Sequence, residues 1–163
     1  EILRCLVGSE MCIRDRYKGD ELAGVLLCEM KGEAKKDHSI WKSAYVKIFD
    51  FLQNLFVKNG VAPYDEANRG MLVEYCKHNS PDGEIIFLAA NPNIKAKGIG
   101  SMLLRELEER EKGKKVFLYT DSACTYQFYE HRGFELAQEK DITLKIGNKE
   151  VALRCLLYSK VLG

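Results

Sequence analysis

The sequence predicts an α/β fold with a mixed sheet, carrying a parallel pair of strands at its centre. Two observations lead there. A continuous apolar run, "EIIFLAA" (84–90), is followed by an amphipathic helical stretch and then by a second apolar run, "VFLYT" (116–120); two buried strands joined through a helix are the usual grammar of a parallel pair. Further on, "ITLKIGNKEVALRCLLYSKVL" reads as two strands about Gly147-Asn148, which makes a hairpin.

The totals suit one globular domain. The chain has 163 residues, 46% of them hydrophobic, with a formal charge of +1, enough for a real core. Near-neutral charge gives no footprint for nucleic acid. The six cysteines form no CxxC and no Cys/His pair at ligand spacing, so neither a metal site nor a disulfide framework is expected. No apolar run approaches the roughly 18 residues of a membrane span, and none reads as a secretory signal. The expectation is a cytoplasmic protein with reduced cysteines and no membrane or nucleic-acid partner.

Each element has a local reason. Lys18, Gly19, Asp20 and Glu21 read as a turn, and 22–30 as a strand rich in Val and Leu. "IWKSAYVKIFDFLQNLF" sets Trp41, Tyr45, Ile48, Phe49, Leu52 and Phe56 at helical spacing, with Asn59-Gly60 as its stop. A second helical pattern, starting near Asp65, uses Ala67, Met71, Leu72, Tyr75 and Cys76. Pro81-Asp82-Gly83 is a turn into the first apolar strand. "SMLLRELEEREKG" predicts a helix burying Ile99, Leu103, Leu104 and Leu107 and ending at Gly113. "DSACTYQFYEHRGF" predicts a short helix capped by Asp121 or Ser122 and stopped by Gly133.

The loop "NPNIKAKGIG" joins the first apolar strand to a helix. There the first helical N–H groups lack internal partners and the dipole is positive. Gly98 and Gly100 let the backbone approach an anion, and Lys95 and Lys97 add charge, so a pyrophosphate would fit. By itself this pattern more often marks an ordinary solvated loop. It is no Walker loop, and the third glycine of GxGxxG would fall at Leu103.

Taken with the helix that ends in "FYEHRGF", the pattern is specific. "AANPNIKAKGIG" followed by "FYEHRGFE" resembles the GNAT family of N-acetyltransferases, well over 84–162 and loosely over 17–30. Lys95 departs from the Gln or Arg usual there. The resemblance implies an acetyl-CoA-dependent N-acetyltransferase without a metal, in which the two parallel strands splay and acetyl-CoA lies between them. Backbone groups at Leu88 and Ala90 would pair with the pantetheine arm. Those of Lys97, Gly98, Ile99, Gly100 and Ser101 would hold the pyrophosphate beside Lys95. Tyr129 stands where many members carry the tyrosine that protonates the departing sulfur. Glu84 aligns with the glutamate that acts as base in the histone-type branch. Ser122 falls near a CoA contact.

Blander readings stay open beside these. Tyr129 could pack a helix end, Glu84 could flank the Pro-Asp-Gly turn, and Ser122 could cap its helix. Cys124 is expected to be buried and inert, and His131 to be a cation near a helix end. The acceptor implied is a small-molecule or peptide amine, its identity and the oligomeric state left open. A CoA-binding module without turnover, or an inactive fragment, is the alternative.

The opening is unusual. "LVGSEMCIRDR" (6–16) shows no helical or strand period and resembles an in-frame translation of a transposase adapter used in sequencing libraries. Residues 1–16 are therefore read as a non-native scar, with "EILRC" unassigned, and 17–163 as one GNAT domain that lacks its native N-terminal elements. The stretch of about 32–80 is read as a helical insertion, resembling one in poorly characterised bacterial members. Its aromatic stripe suits an acceptor roof or plain core.

Overall fold

The computed structural model describes residues 3–8, 11–18, 21–31, 61–91, 93–94, 97–146 and 149–163. The helix predicted around Trp41 to Phe56, Lys95, and the turn residues Gly147 and Asn148 lie outside them. The chain gathers into two compact units interleaved in sequence. The first holds 1–37, 80–118 and 159–163, and the second 38–79 and 119–158.

The first unit holds β1 (Leu3–Gly8), β2 (Met11–Lys18), β3 (Glu21–Met30), β4 (Gly83–Ala90) and residues 115–118 of β5 (Lys115–Asp121), neighbours in that order. The first four run antiparallel, while β4 and β5 are parallel, as the two apolar runs predict. β2 takes in most of the adapter-like stretch and pairs with β3 from Met11↔Glu29 to Lys18↔Glu21. That pairing shows the register is available to it.

Helix α1 (Val61–Cys76) belongs to the second unit and begins four residues before the expected Asp65. Pro63 is no obstacle, because a first-turn residue needs no helical N–H partner. Its core contacts are the predicted Ala67, Met71 and Tyr75, while Cys76 is exposed. Helix α2 (Ile99–Arg110) belongs to the first unit and buries Ile99, Leu103, Leu104 and Leu107, the four positions its periodicity selects. It packs on β2, β3 and β4. Gly113 comes after it at φ +83°, a left-handed turn that favours glycine.

The second unit also contains a one-turn helix α3 (Gln127–Glu130), the strand β6 (Glu135–Ile146) and residues 149–158 of β7 (Lys149–Val161), the two strands being neighbours as the hairpin reading requires. α1 packs against β6. The capping expectation for α3 is corrected. Its N-cap position is Tyr126, without a side-chain bond. Asp121 Oδ1 instead accepts the N–H groups of Ala123 (2.8 Å) and Cys124 (3.1 Å). With its carboxylate held in that local turn, Asp121 ends β5 and the helix starts later. Gly133, at φ +77°, stops it as expected. Among the described residues no helix is long and apolar enough to cross a membrane.

Candidate active site

Asp82 anchors the start of β4. Its N–H donates to the Lys115 carbonyl (2.6 Å), its Oδ2 accepts the Lys115 N–H (2.7 Å), and its carbonyl accepts the Lys31 N–H (2.7 Å). One residue thereby ties together the ends of three strands. Gly83 comes next because nothing larger fits: a Cβ there would meet Met30 Sδ and stand 2.6 Å from the Glu29 carbonyl oxygen.

The parallel ladder then runs over Gly83↔Val116, Glu84↔Phe117 and Ile85↔Leu118, and ends. On the other side, β3 pairs Cys28 with Ile85 but Leu27 with Phe87, so Ile86 is an extra residue in β4. A bulge of this kind bends its strand and re-aims the residues after it. Beyond it, Leu88 and Ala90 pair with Leu26 and Gly24 of β3. Their opposite edge lies past the end of the parallel ladder, and an edge of that kind can take an added extended chain. The apolar run is therefore not covered on both faces as expected: Ile86 is 38% exposed, and Phe87, Leu88 and Ala89 are half-buried.

The loop after β4 is built by Asn91. Its N–H donates to the Ala23 carbonyl (2.8 Å), and its Oδ1 accepts the Asn93 N–H (3.0 Å). Buried Ile94 pins the far side. Gly98 adopts φ +81° and ψ 13° at the N-cap of α2 and brings no side chain to cover it. The first helical bond runs from the Met102 N–H to the Gly98 carbonyl (2.9 Å), so the N–H groups of Ile99, Gly100 and Ser101 precede it. Lys97 and Gly98 are exposed, Ile99 is buried, and Gly100 and Ser101 are half-buried. Gly24 of β3 sets how closely α2 sits. A Cβ there would stand 2.5 Å from Ile99 Cγ2, 3.0 Å from the Ala89 carbonyl oxygen and 3.2 Å from Leu103 Cδ1. Leu88, Ala90, Lys97, Gly98, Ile99, Gly100 and Ser101 thus all belong to the first unit, on one strand–loop–helix step.

Glu84 lies in the same unit, half-buried, between Glu29 on β3 and Phe117 on β5. Its carboxyl titrates above the ordinary range, first because burial penalises the charge and then because Glu29 is nearby.

Tyr129 lies in the second unit, its ring edge-on to Phe128 (centroids 5.4 Å) and Phe134 (5.8 Å). Burial, with a smaller contribution from Cys124, pushes its phenol up to about 12. It packs the helix end and is also a protonated donor at neutral pH. Ser122 does not cap α3: its Oγ accepts the Arg154 N–H (3.1 Å) while its own N–H donates to the Arg154 carbonyl (2.9 Å). Cys124 is exposed rather than buried as expected, and partial desolvation and Asp121 raise its thiol above the ordinary value. His131 closes α3, donating its N–H to the Gln127 carbonyl (3.0 Å).

The resemblance implies parallel strands that splay beside a glycine-containing loop and helix; here the parallel ladder ends at Ile85↔Leu118 and Gly98 caps α2. The model of the acetyltransferase (GNAT) family matches residues 7–134, a span holding both motifs. The chain belongs to the GNAT family. It is an acetyltransferase.

Solved structures agree on the fold. The smu.2055 protein of Streptococcus mutans UA159 is 16% identical, with a TM-score of 0.53, over 95% of this chain and 72% of that one. Arabidopsis thaliana NAA60, solved with a bisubstrate analogue, is 12% identical, with a TM-score of 0.53, over 94% and 76%. A comparison with curated proteins finds no match.

Several participants were not visible in the GNAT motifs. The Ile86 bulge and the Glu29–Glu84 pairing depend on cross-strand register, which no local spacing encodes. Gly24 carried a signal, a glycine inside a strand pattern, which often marks close backbone approach. A cleft of about 510 Å³ along β6 and β7 also escapes sequence reading; its walls include Tyr126, Glu130, Glu139, Asp141, Arg154 and Tyr158. Its carboxylates are engaged. Arg154 Nε donates to Asp141 Oδ1 (2.8 Å), Arg154 Nη1 stands 3.6 Å from Glu139 Oε2, and the Tyr158 hydroxyl donates to Glu130 Oε1 (2.7 Å).

Proposed function

We propose that this GNAT protein transfers the acetyl group of acetyl-CoA to a primary amine by direct attack on the thioester. The observation that carries the proposal is the step from the open edge of β4 into the N-terminus of α2. The pantetheine arm would add to the edge at Leu88 and Ala90 as an extra strand. The pyrophosphate would take the N–H groups of Lys97, Gly98, Ile99, Gly100 and Ser101, where the helix dipole favours an anion. Lys95 and Lys97 would add charge, and Ser122 a further contact.

The chemistry assigns the remaining roles. The amine lone pair attacks the carbonyl carbon, a C–N bond forms, and the tetrahedral intermediate collapses with loss of the C–S bond. The attacking nitrogen must shed a proton, and Glu84 is the acceptor, a carboxylate of raised basicity. The sulfur must gain one, and Tyr129 is the donor, protonated across the physiological range. Acceptors of this chemistry are small-molecule or peptide amines, encountered in the cytoplasm.

The test is release of CoA thiol from acetyl-CoA in the presence of polyamines, amino sugars, lysine and peptides with free N-termini. Amine-dependent release, with acetylated amine found by mass spectrometry, is expected. Saturable acetyl-CoA binding with no amine-dependent release on any class would overturn it and leave a binding module.

A further inference from the structure

Glu29 lies outside both GNAT motifs, yet it is the register partner of Glu84 across the β3–β4 ladder. Directly opposed residues on an antiparallel pair hold their Cβ atoms about 4.5–5.5 Å apart on the same face. Like charges so placed ordinarily weaken a sheet. Here the pair is held firmly, because Glu84 is in register with Phe117 on its other side and Asp82, two residues earlier, ties β3, β4 and β5. Neither strand can slip to separate the carboxylates without breaking that anchor.

The surroundings leave Glu29 as the partner that matters. From β5 the neighbour is the uncharged Phe117. Lys31 and Lys115 bond Asp82 at the strand ends through their main-chain groups, and the shift of Glu84 has burial and Glu29 as its causes. α2 packs its apolar stripe on β3 at Gly24, and strand alternation puts Glu29 on the opposite face. Among the described residues Glu29 is the charged side chain that acts on Glu84.

We propose that Glu29 is a positioning residue for acetyl transfer, one whose charge makes Glu84 a stronger proton acceptor. The proposal rests on the reading of Glu84 as the base. An exposed carboxylate placed opposite a half-buried one confers basicity that depends on charge and not on contact with substrate.

The test compares kcat/KM against pH for the unaltered protein, Glu29→Gln, Glu29→Asp and Glu84→Gln with one amine, whose own titration is common to all. Glu29→Gln should move the acid limb to lower pH by about half a unit or more, leaving the plateau within about twofold. Glu29→Asp should restore the limb, and high salt should shrink the difference. An acid limb unmoved in Glu29→Gln, while Glu84→Gln is strongly impaired, would overturn the role of Glu29 alone. Full activity in Glu84→Gln would remove the base reading and this inference with it.

Discussion

Replacing Glu84 with Gln should make the protein more stable at neutral pH and much less active. The two effects have one origin. In the folded chain the Glu84 carboxyl titrates above its ordinary value of 4.5, because it is partly desolvated and faces Glu29. A raised carboxyl binds its proton more tightly when folded than when unfolded. Its ionisation therefore costs stability as pH rises through the folded value, and costs nothing at pH values below both. Opposite charges directly opposed on paired strands contribute about 0.2–1 kcal/mol and like charges destabilise, so a penalty of the same order is taken for this pair. At about 2–4 °C per kcal/mol for a chain of this size, Glu84→Gln should raise Tm at pH 7 by a few tenths of a degree to about 4 °C. At pH 4 and below the gain should vanish. Loss of a general base should lower kcat/KM by about 10²–10⁴-fold. Thermal melts at pH 4 and pH 7, with thiol-release kinetics at pH 7, test both. A lower Tm at pH 7, or unchanged turnover, would refute the reasoning.

Tyr129→Phe should leave folding and acetyl-CoA affinity close to those of the parent, since the ring keeps its edge contacts with Phe128 and Phe134. Turnover should fall by about 10²–10⁴-fold, the usual worth of a general acid. With the phenol at about 12, the parent protein should show no alkaline loss of activity from this group up to pH 10, which a pH–rate profile checks. Gly24→Ala puts a methyl against Ile99 and the Ala89 carbonyl. It should cost about 1–3 kcal/mol, as overpacking does, lowering Tm and weakening acetyl-CoA binding together because it displaces α2 from β3. Denaturant melts and a binding titration would show both effects.

Much of this architecture was legible before the structure. The buried face of α2 comes from its helical period, because a helix on a sheet has one apolar stripe to bury. Gly98, Gly113 and Gly133 stand where left-handed backbone is needed, a requirement that leaves its mark in sequence. The parallel pair was implied by two apolar runs joined through a helix. The hidden part is relational. Nothing local reveals that Ile86 has no opposite number on β3, or that Glu84 faces Glu29, because register is decided by the whole sheet. The α3 cap was misplaced because Asp121 is equally good at starting an Asx turn, and its carboxylate went to Ala123 and Cys124. The expectation that "EIIFLAA" is covered on both faces failed at Ile86, where the bulge exposes the side chain.

The central claim is that acetyl-CoA adds to the open edge of β4 and sets its pyrophosphate on the N-terminus of α2. Amide hydrogen exchange with and without saturating acetyl-CoA tests it most directly. Slower exchange concentrated at 86–90 and 98–102 is the predicted result, accompanying a saturable stabilisation of about 2.7 kcal/mol at one hundred times Kd. Saturable binding with those two segments unchanged would contradict it.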